Sequence, residues 1–278
     1  MNSQKTATGF RLWQCAFVSL CLVMLPVQAN IGQSGSLAGE VARESGMLDL
    51  VASYPEQISA HIHQSASANP TPVDQTRAIG LLLKAFDRID AAALLERFIR
   101  DNTRPDDLRT IHEWFDSGLG RRFSAAEQAV TTVDGQLGEQ DFIAGLAKHD
   151  PRPERVKLIQ HFEQAAALHD INYDMITIMM KSEMAAMNRL LPVKDRMSDA
   201  EISARLEKKM HDMPPMMSVV LWQQMLEISQ YTYRDFTDAE LTSYIHFLES
   251  DAGRVLVSLY KQVPEYVFGK VIEEMEHE

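Results

Sequence analysis

The chain has 278 residues, a formal charge of −12 and two cysteines. With 39 acidic against 27 basic residues and no basic run, it lacks the clustered cations that phosphate contacts need, which disfavours nucleic acid and anionic lipid surfaces as partners. Apolar residues make up 45% of it, and at this length that suffices for a real core without covalent staples.

The N-terminus has the form of a secretory leader. Lys5 and Arg11 give a positive start with no acid before Glu40, Leu12 to Val27 is almost continuously apolar, and Val27-Gln28-Ala29 places small residues where a signal peptidase cuts. This predicts a signal peptide over 1–29, cleavage after Ala29 and a periplasmic location. An uncleaved anchor is the alternative, but the run is short for a span of about 20 residues. Cys15 and Cys21 both lie inside the leader, and Leu20 stands before Cys21 where a lipoprotein needs a small residue. Cleavage therefore leaves no thiol and no disulfide. No second stretch is long and apolar enough to span a membrane.

From residue 36 onward the apolar period is helical and no strand alternation is evident. Pro55 is expected to open a new turn, and 65–73 (SASANPTPV) to form a loop. Ile79, Leu82, Phe86, Ile89 and Ala93 mark an amphipathic helix. Gly135, Gly138, Gly145 and Pro151 mark 135–152 as a connection, with a short helix around Phe142 to Leu146. A seam then runs through Val156, Ile159, Phe162, Ala166, His169, Tyr173, Ile176, Met180, Met184, Met187 and Leu191. It fits one helix of about 50 Å, unless Asp170 to Asn172 break it. Ser198-Asp-Ala-Glu201 and Thr237-Asp-Ala-Glu240 read as capping boxes, Pro214-Pro215 interrupts between them, and Pro264 opens a last helix.

Part of the chain is written twice. Residues 107–130 and 240–263 align without a gap: Leu108, Ser117, Gly120, Arg121 and Val130 match Leu241, Ser250, Gly253, Arg254 and Val263. Trp114 faces Phe247, Phe115 faces Leu248 and Asp116 faces Glu249. In each copy an apolar helix ends at a serine that can cap the next helix. A glycine on that helix's first turn costs about 1 kcal/mol against alanine, which predicts a close helix contact at Gly120 and Gly253. Arg121 and Arg254 are expected to pair with Asp116 and Glu249. The repeat predicts an all-α fold, an irregular helical bundle or short solenoid-like array of two related units, 30–134 and 153–278, joined by 135–152.

The segments Phe236-Thr-Asp-Ala-Glu-Leu241 and Phe247-Leu-Glu-Ser-Asp-Ala-Gly253-Arg254 resemble the C-terminal signature of the DUF2059 family, and Phe115-Asp-Ser117-Gly-Leu-Gly120-Arg121 resembles a diverged second copy. The resemblance covers under a quarter of the chain. It departs from the family pattern at Gly118 and Asp251, where proline is usual, and in being doubled. It implies a secreted or periplasmic all-helical protein and carries no catalytic residues.

No nucleophile elbow, phosphate loop or paired zinc-helix motif is present. His112 and Asp116 could share a helix face, but two ligands do not make a metal site. His61 and His63 fall on different faces, His169 falls on the apolar seam, and the glutamates at 273–278 read as a solvated end. The methionines are more suggestive. Met175, Met179, Met180, Met184 and Met187 follow helical spacing, and Met210, His211, Met213 and Met216 cluster around the double proline. Thioethers with an imidazole suit Cu(I) or Ag(I). They equally suit core filling, or a groove for apolar helices or acyl chains. The function expected is a non-enzymatic periplasmic binding module, with an envelope protein or an apolar ligand as partner, no cofactor and no catalytic residue. The alternatives are soft-metal binding and an uncharacterised hydrolase.

Overall fold

The computed structural model describes residues 35–68, 75–146, 152–212 and 215–277, with side chains at 60–68, 75 and 215–218 outside the description. The leader, residues 69–73 of the expected loop and the His61 and His63 side chains therefore fall outside it, while 65–68, expected as loop, are helical. Among the described residues the fold is all-α, with thirteen α-helices and no strand. They are α1 (Leu37–Glu44), α2 (Met47–Ala68), α3 (Gln75–Arg88), α4 (Ala91–Asn102), α5 (Pro105–Asp116), α6 (Gly118–Ala129) and α7 (Val133–Leu146). After these come α8 (Pro153–Ala165), α9 (Leu168–Arg189), α10 (Asp199–His211), α11 (Pro215–Thr232), α12 (Asp238–Glu249) and α13 (Asp251–Met275).

The bundle is built around α13. Leu256, Leu259, Val263, Val267, Val271 and Met275 step by three or four along it, and all are buried. Such a stripe must be covered by neighbours, and α2, α3, α4, α5, α9 and α12 supply the cover. One continuous apolar core results, drawing Leu108, Phe115 and Phe123 from the first repeat and Tyr244, Leu248 and Leu256 from the second.

The repeat is a helix corner. Ser117 ends α5 and caps α6 at once: its hydroxyl donates to the Trp114 carbonyl (2.6 Å) and accepts from the Gly120 amide (2.9 Å). Ser250 does the same between α12 and α13, to the Phe247 carbonyl (2.6 Å) and from the Gly253 amide (3.1 Å). The glycines are required by sterics of the corner itself. A Cβ on Gly120 would run into the Trp114 carbonyl, and one on Gly253 into the Phe247 carbonyl. The close approach is thus to the backbone of the preceding helix end. A third corner follows the same pattern at Thr132 and Gly135, between α6 and α7. It makes the expected connection helical from Val133 onward, well ahead of Phe142.

Three further expectations differ from the structure. Pro55 and Pro264 lie inside α2 and α13 and do not open new helices; tertiary packing of the flanking turns outweighs the one amide bond that each proline removes. The long seam breaks at Ala167, whose φ of 51° is left-handed, three residues before Asp170. The break lets α8 pack on α11 and α12 while α9 packs on α13, α3 and α10, which one straight helix could not do. Arg121 pairs with Asp116 at 2.6 Å as expected, but Arg254 lies 4.0 Å from Asp251 with both side chains exposed. Glu249 instead meets His161 at 2.8 Å. Both capping boxes form.

Opposite outcomes are expected for two alanine substitutions. Gly253→Ala should destabilise the fold by roughly 1–3 kcal/mol, because its Cβ meets backbone that cannot yield. Gly80→Ala, in α3 with nothing near its Cβ site, should stabilise by about 0.4–1 kcal/mol. Urea unfolding of both variants checks the pair; equal effects would rule out the corner clash.

Candidate functional site

Two features stand out, an open cleft and a pair of inward-facing carboxylates. The cleft, of about 900 Å³, lies between α9, α10 and α13. Helical spacing brings Tyr173, Thr177, Ile178 and Lys181 of α9 to one wall, and Leu206, Glu207, Met210 and His211 of α10 to the other. Tyr266, Phe268, Gly269 and Ile272 of α13 complete it. Its lining is more apolar than polar, with Lys181, Glu207, Glu265, Lys270 and Glu273 among the charged residues. Lys270 pairs with Glu273 at 2.7 Å.

The methionines divide between core and cleft. Met175 and Met179 are buried in the main core, while Met180 and Met210 pack with Ile176 and Leu206 in a second, small cluster beside the cleft. This is the irregular packing that flexible thioethers fill well. Of the four residues considered for a soft metal, Met210 and His211 border the cleft. The Met213 and Met216 side chains lie outside the described residues. His112 and Asp116 do not converge as ligands: the His112 ring meets Glu44 at 2.8 Å, and Asp116 holds Arg121. The hydrogen bond to Glu44 raises the His112 pKa. Among the described residues no three His, Cys, Asp or Glu side chains gather as a metal would require.

Sequence reasoning missed two inward-facing acids, Glu127 half-buried and Glu163 fully buried. Glu127 of α6 reaches the junction between the repeats, where one carboxylate oxygen accepts from the Tyr233 hydroxyl (2.9 Å) and the Tyr244 hydroxyl (3.1 Å). Stacked rings surround the junction. Trp114 lies on Phe247 at 4.5 Å, and Phe123 on Phe236 at 4.0 Å. Burial pushes the Glu127 carboxyl up to about 7 against the pull of the two hydroxyls. Glu163 of α8 is fully buried and accepts from the Ser229 hydroxyl at 2.8 Å. Its other oxygen lies 3.7 Å from His169 Nε2, and His169 stacks on Trp222 at 3.6 Å. Burial raises Glu163 to about 6 and lowers His169. Serine, carboxylate and histidine do meet here, but the carboxylate sits between the other two, so the imidazole cannot take the hydroxyl proton as a general base would. A signal for both acids was present. Glu127 falls between Phe123 and Val130, and Glu163 between Ile159 and Ala166, each at the spacing of an apolar seam residue.

No protein family matches the chain, and neither a curated protein nor a solved structure is similar to it.

The two acids make stability depend on pH. Each carboxyl binds its proton more tightly when folded (about 7 and about 6) than at the ordinary value of 4.5. Their contribution is therefore complete below 4.5 and is lost as pH rises through about 6 and 7. Glu127→Gln keeps an oxygen acceptor for both tyrosines and removes the ionisation. It should gain on the order of 2–3 kcal/mol at pH 8 and less than about 1 kcal/mol at pH 5. Denaturant unfolding at both pH values checks this, and an equal effect at both would contradict it.

Proposed function

We propose that this protein is a non-enzymatic, periplasmic helical binding module of the cell envelope, and that the cleft between α9, α10 and α13 seats the apolar part of its ligand. The observation that carries this reading is the cleft: about 900 Å³, open at the surface and lined mainly by apolar side chains with charges among them. Ligand pockets commonly have this size and character. Ile178, Leu206, Met210 and Ile272 offer adaptable apolar contact, while Lys181 offers a cation for an acidic head. The leader-like N-terminus supports export, and the corner segments that resemble DUF2059 proteins support the same compartment.

The test is fluorescence titration with the neutral apolar probe N-phenyl-1-naphthylamine, followed by displacement with a fatty acid. Binding with displacement is expected, and Ile178→Gln should weaken it about fivefold, roughly the cost of one methylene of buried apolar contact. Absence of binding, or binding indifferent to that substitution, would overturn the reading.

One observation favours a second reading. Met210 and His211 both border the cleft, and a thioether with an imidazole is a soft-metal pair. Competition against a Cu(I) chelator should show retention lost in Met210→Leu with His211→Ala; retention unchanged in that double variant excludes these residues as ligands.

A further inference from the structure

A second cleft, of about 460 Å³, opens where α7, α8, α11 and α12 converge. Its chemistry is the reverse of the molecule's. In a chain of net charge −12, it gathers Arg152, Arg155 and Arg234 around one lining carboxylate among the described residues, Asp238. Phe142 and Phe236 are its aromatic lining residues. Arg155, nearly buried, donates to Asp238 (2.9 Å) and to the Tyr233 carbonyl (2.7 Å), so it is fixed in place. Arg152 donates to the other oxygen of Asp238 at 3.0 Å from an exposed position. Arg234 stacks on Tyr231, with its guanidinium 4.0 Å from the ring centre. It donates to the Tyr231 carbonyl, and Asp235 lies 3.6 Å from it, largely in solvent.

Each guanidinium carries about five N–H donors, so among the described residues these bonds leave most of the donors unused. The start of α8 adds to the field. Arg152 stands at its N-cap without a side-chain cap bond, and Pro153 follows, so the first-turn amides and the positive end of the helix dipole lie beside the arginines. Asp238 is held below the usual carboxylate range: burial alone would raise it, and Arg155 and Arg152 more than reverse that. One carboxylate is thus shared by two arginines, while a third cation faces the same space.

We propose that this cleft binds a small organic oxyanion, a phosphoryl or carboxylate group held by Arg152 and Arg234, with its apolar body against Phe142 and Phe236. Arg155 is the positioning residue, locked to Asp238 and the Tyr233 carbonyl. The site is separate from the α9–α10–α13 cleft and does not depend on what that cleft binds.

Isothermal titration of the purified protein with phenyl phosphate, phenylacetate, inorganic phosphate and benzyl alcohol tests the proposal. At least one aromatic anion should bind, and added salt should weaken it. The double variant Arg152→Gln with Arg234→Gln should lose at least about tenfold in affinity. Thermal unfolding of that variant should be close to wild type, since both side chains are exposed. Arg121→Gln, outside the cleft, should bind as wild type does. Binding of phenyl phosphate alone identifies the phosphoryl form, and of phenylacetate alone the carboxylate form. No binding of either anion, equal binding of benzyl alcohol, equal binding of inorganic phosphate, or an unaffected double variant would overturn it.

Discussion

The arrangement of this bundle depends on a single hydrogen-bonded joint, used three times. A serine or threonine hydroxyl donates to the last turn of one helix and accepts from the first turn of the next, and a glycine three residues on lets the two backbones touch. At Ser117 and Ser250 the joint needs no linker, because one residue closes one helix and opens another; at Thr132 it follows two intervening residues. It also satisfies amide and carbonyl groups that helix ends otherwise leave orphaned. Its angle is fixed by the contact between glycine and carbonyl, so the direction of α6 follows from α5 and that of α13 from α12. Everything that α13 organises inherits that constraint.

The consequence is that matching parts of the two copies meet. Trp114 and Phe247 occupy equivalent positions and stack with their planes only 5° apart. Around them Phe123, Tyr233, Phe236 and Tyr244 close an aromatic junction. Into this apolar setting the chain places a carboxylate, Glu127, where a seam residue belongs. Its two tyrosine bonds satisfy one oxygen without matching the hydration it gives up, which is why burial dominates its titration. Glu163 repeats the situation between α8 and α11. Both acids thus tie neighbouring helices together through hydroxyl partners far apart in the chain.

The surface openings lie where helices diverge. The larger cleft forms because α10 and α13 both lean on α9, and its apolar lining is continuous with a small methionine-containing cluster. The smaller one forms where four helix ends converge, and its arginines collect there because two of them share Asp238 at the start of α12. Size and apolarity characterise the first, and charge inversion the second.

Much of this was legible in the amino-acid order. Helical period, capping boxes and the repeated Ser-x-x-Gly-Arg are local patterns, and local backbone chemistry enforces them. The all-α class follows from the same patterns. The sequence could also have revealed the third corner, since Thr132 and Gly135 carry the same spacing. What it could not supply is partnership across distance. That Arg254 would leave Glu249 to His161, that Pro55 and Pro264 would be carried within helices, and that Arg152, Arg155 and Arg234 would converge depended on which faces became neighbours. Local order determines where a helix starts and stops, because caps and sterics act over a few residues; only the packed bundle decides which side chains share a cleft, because burial and charge pairing act between residues far apart in the chain.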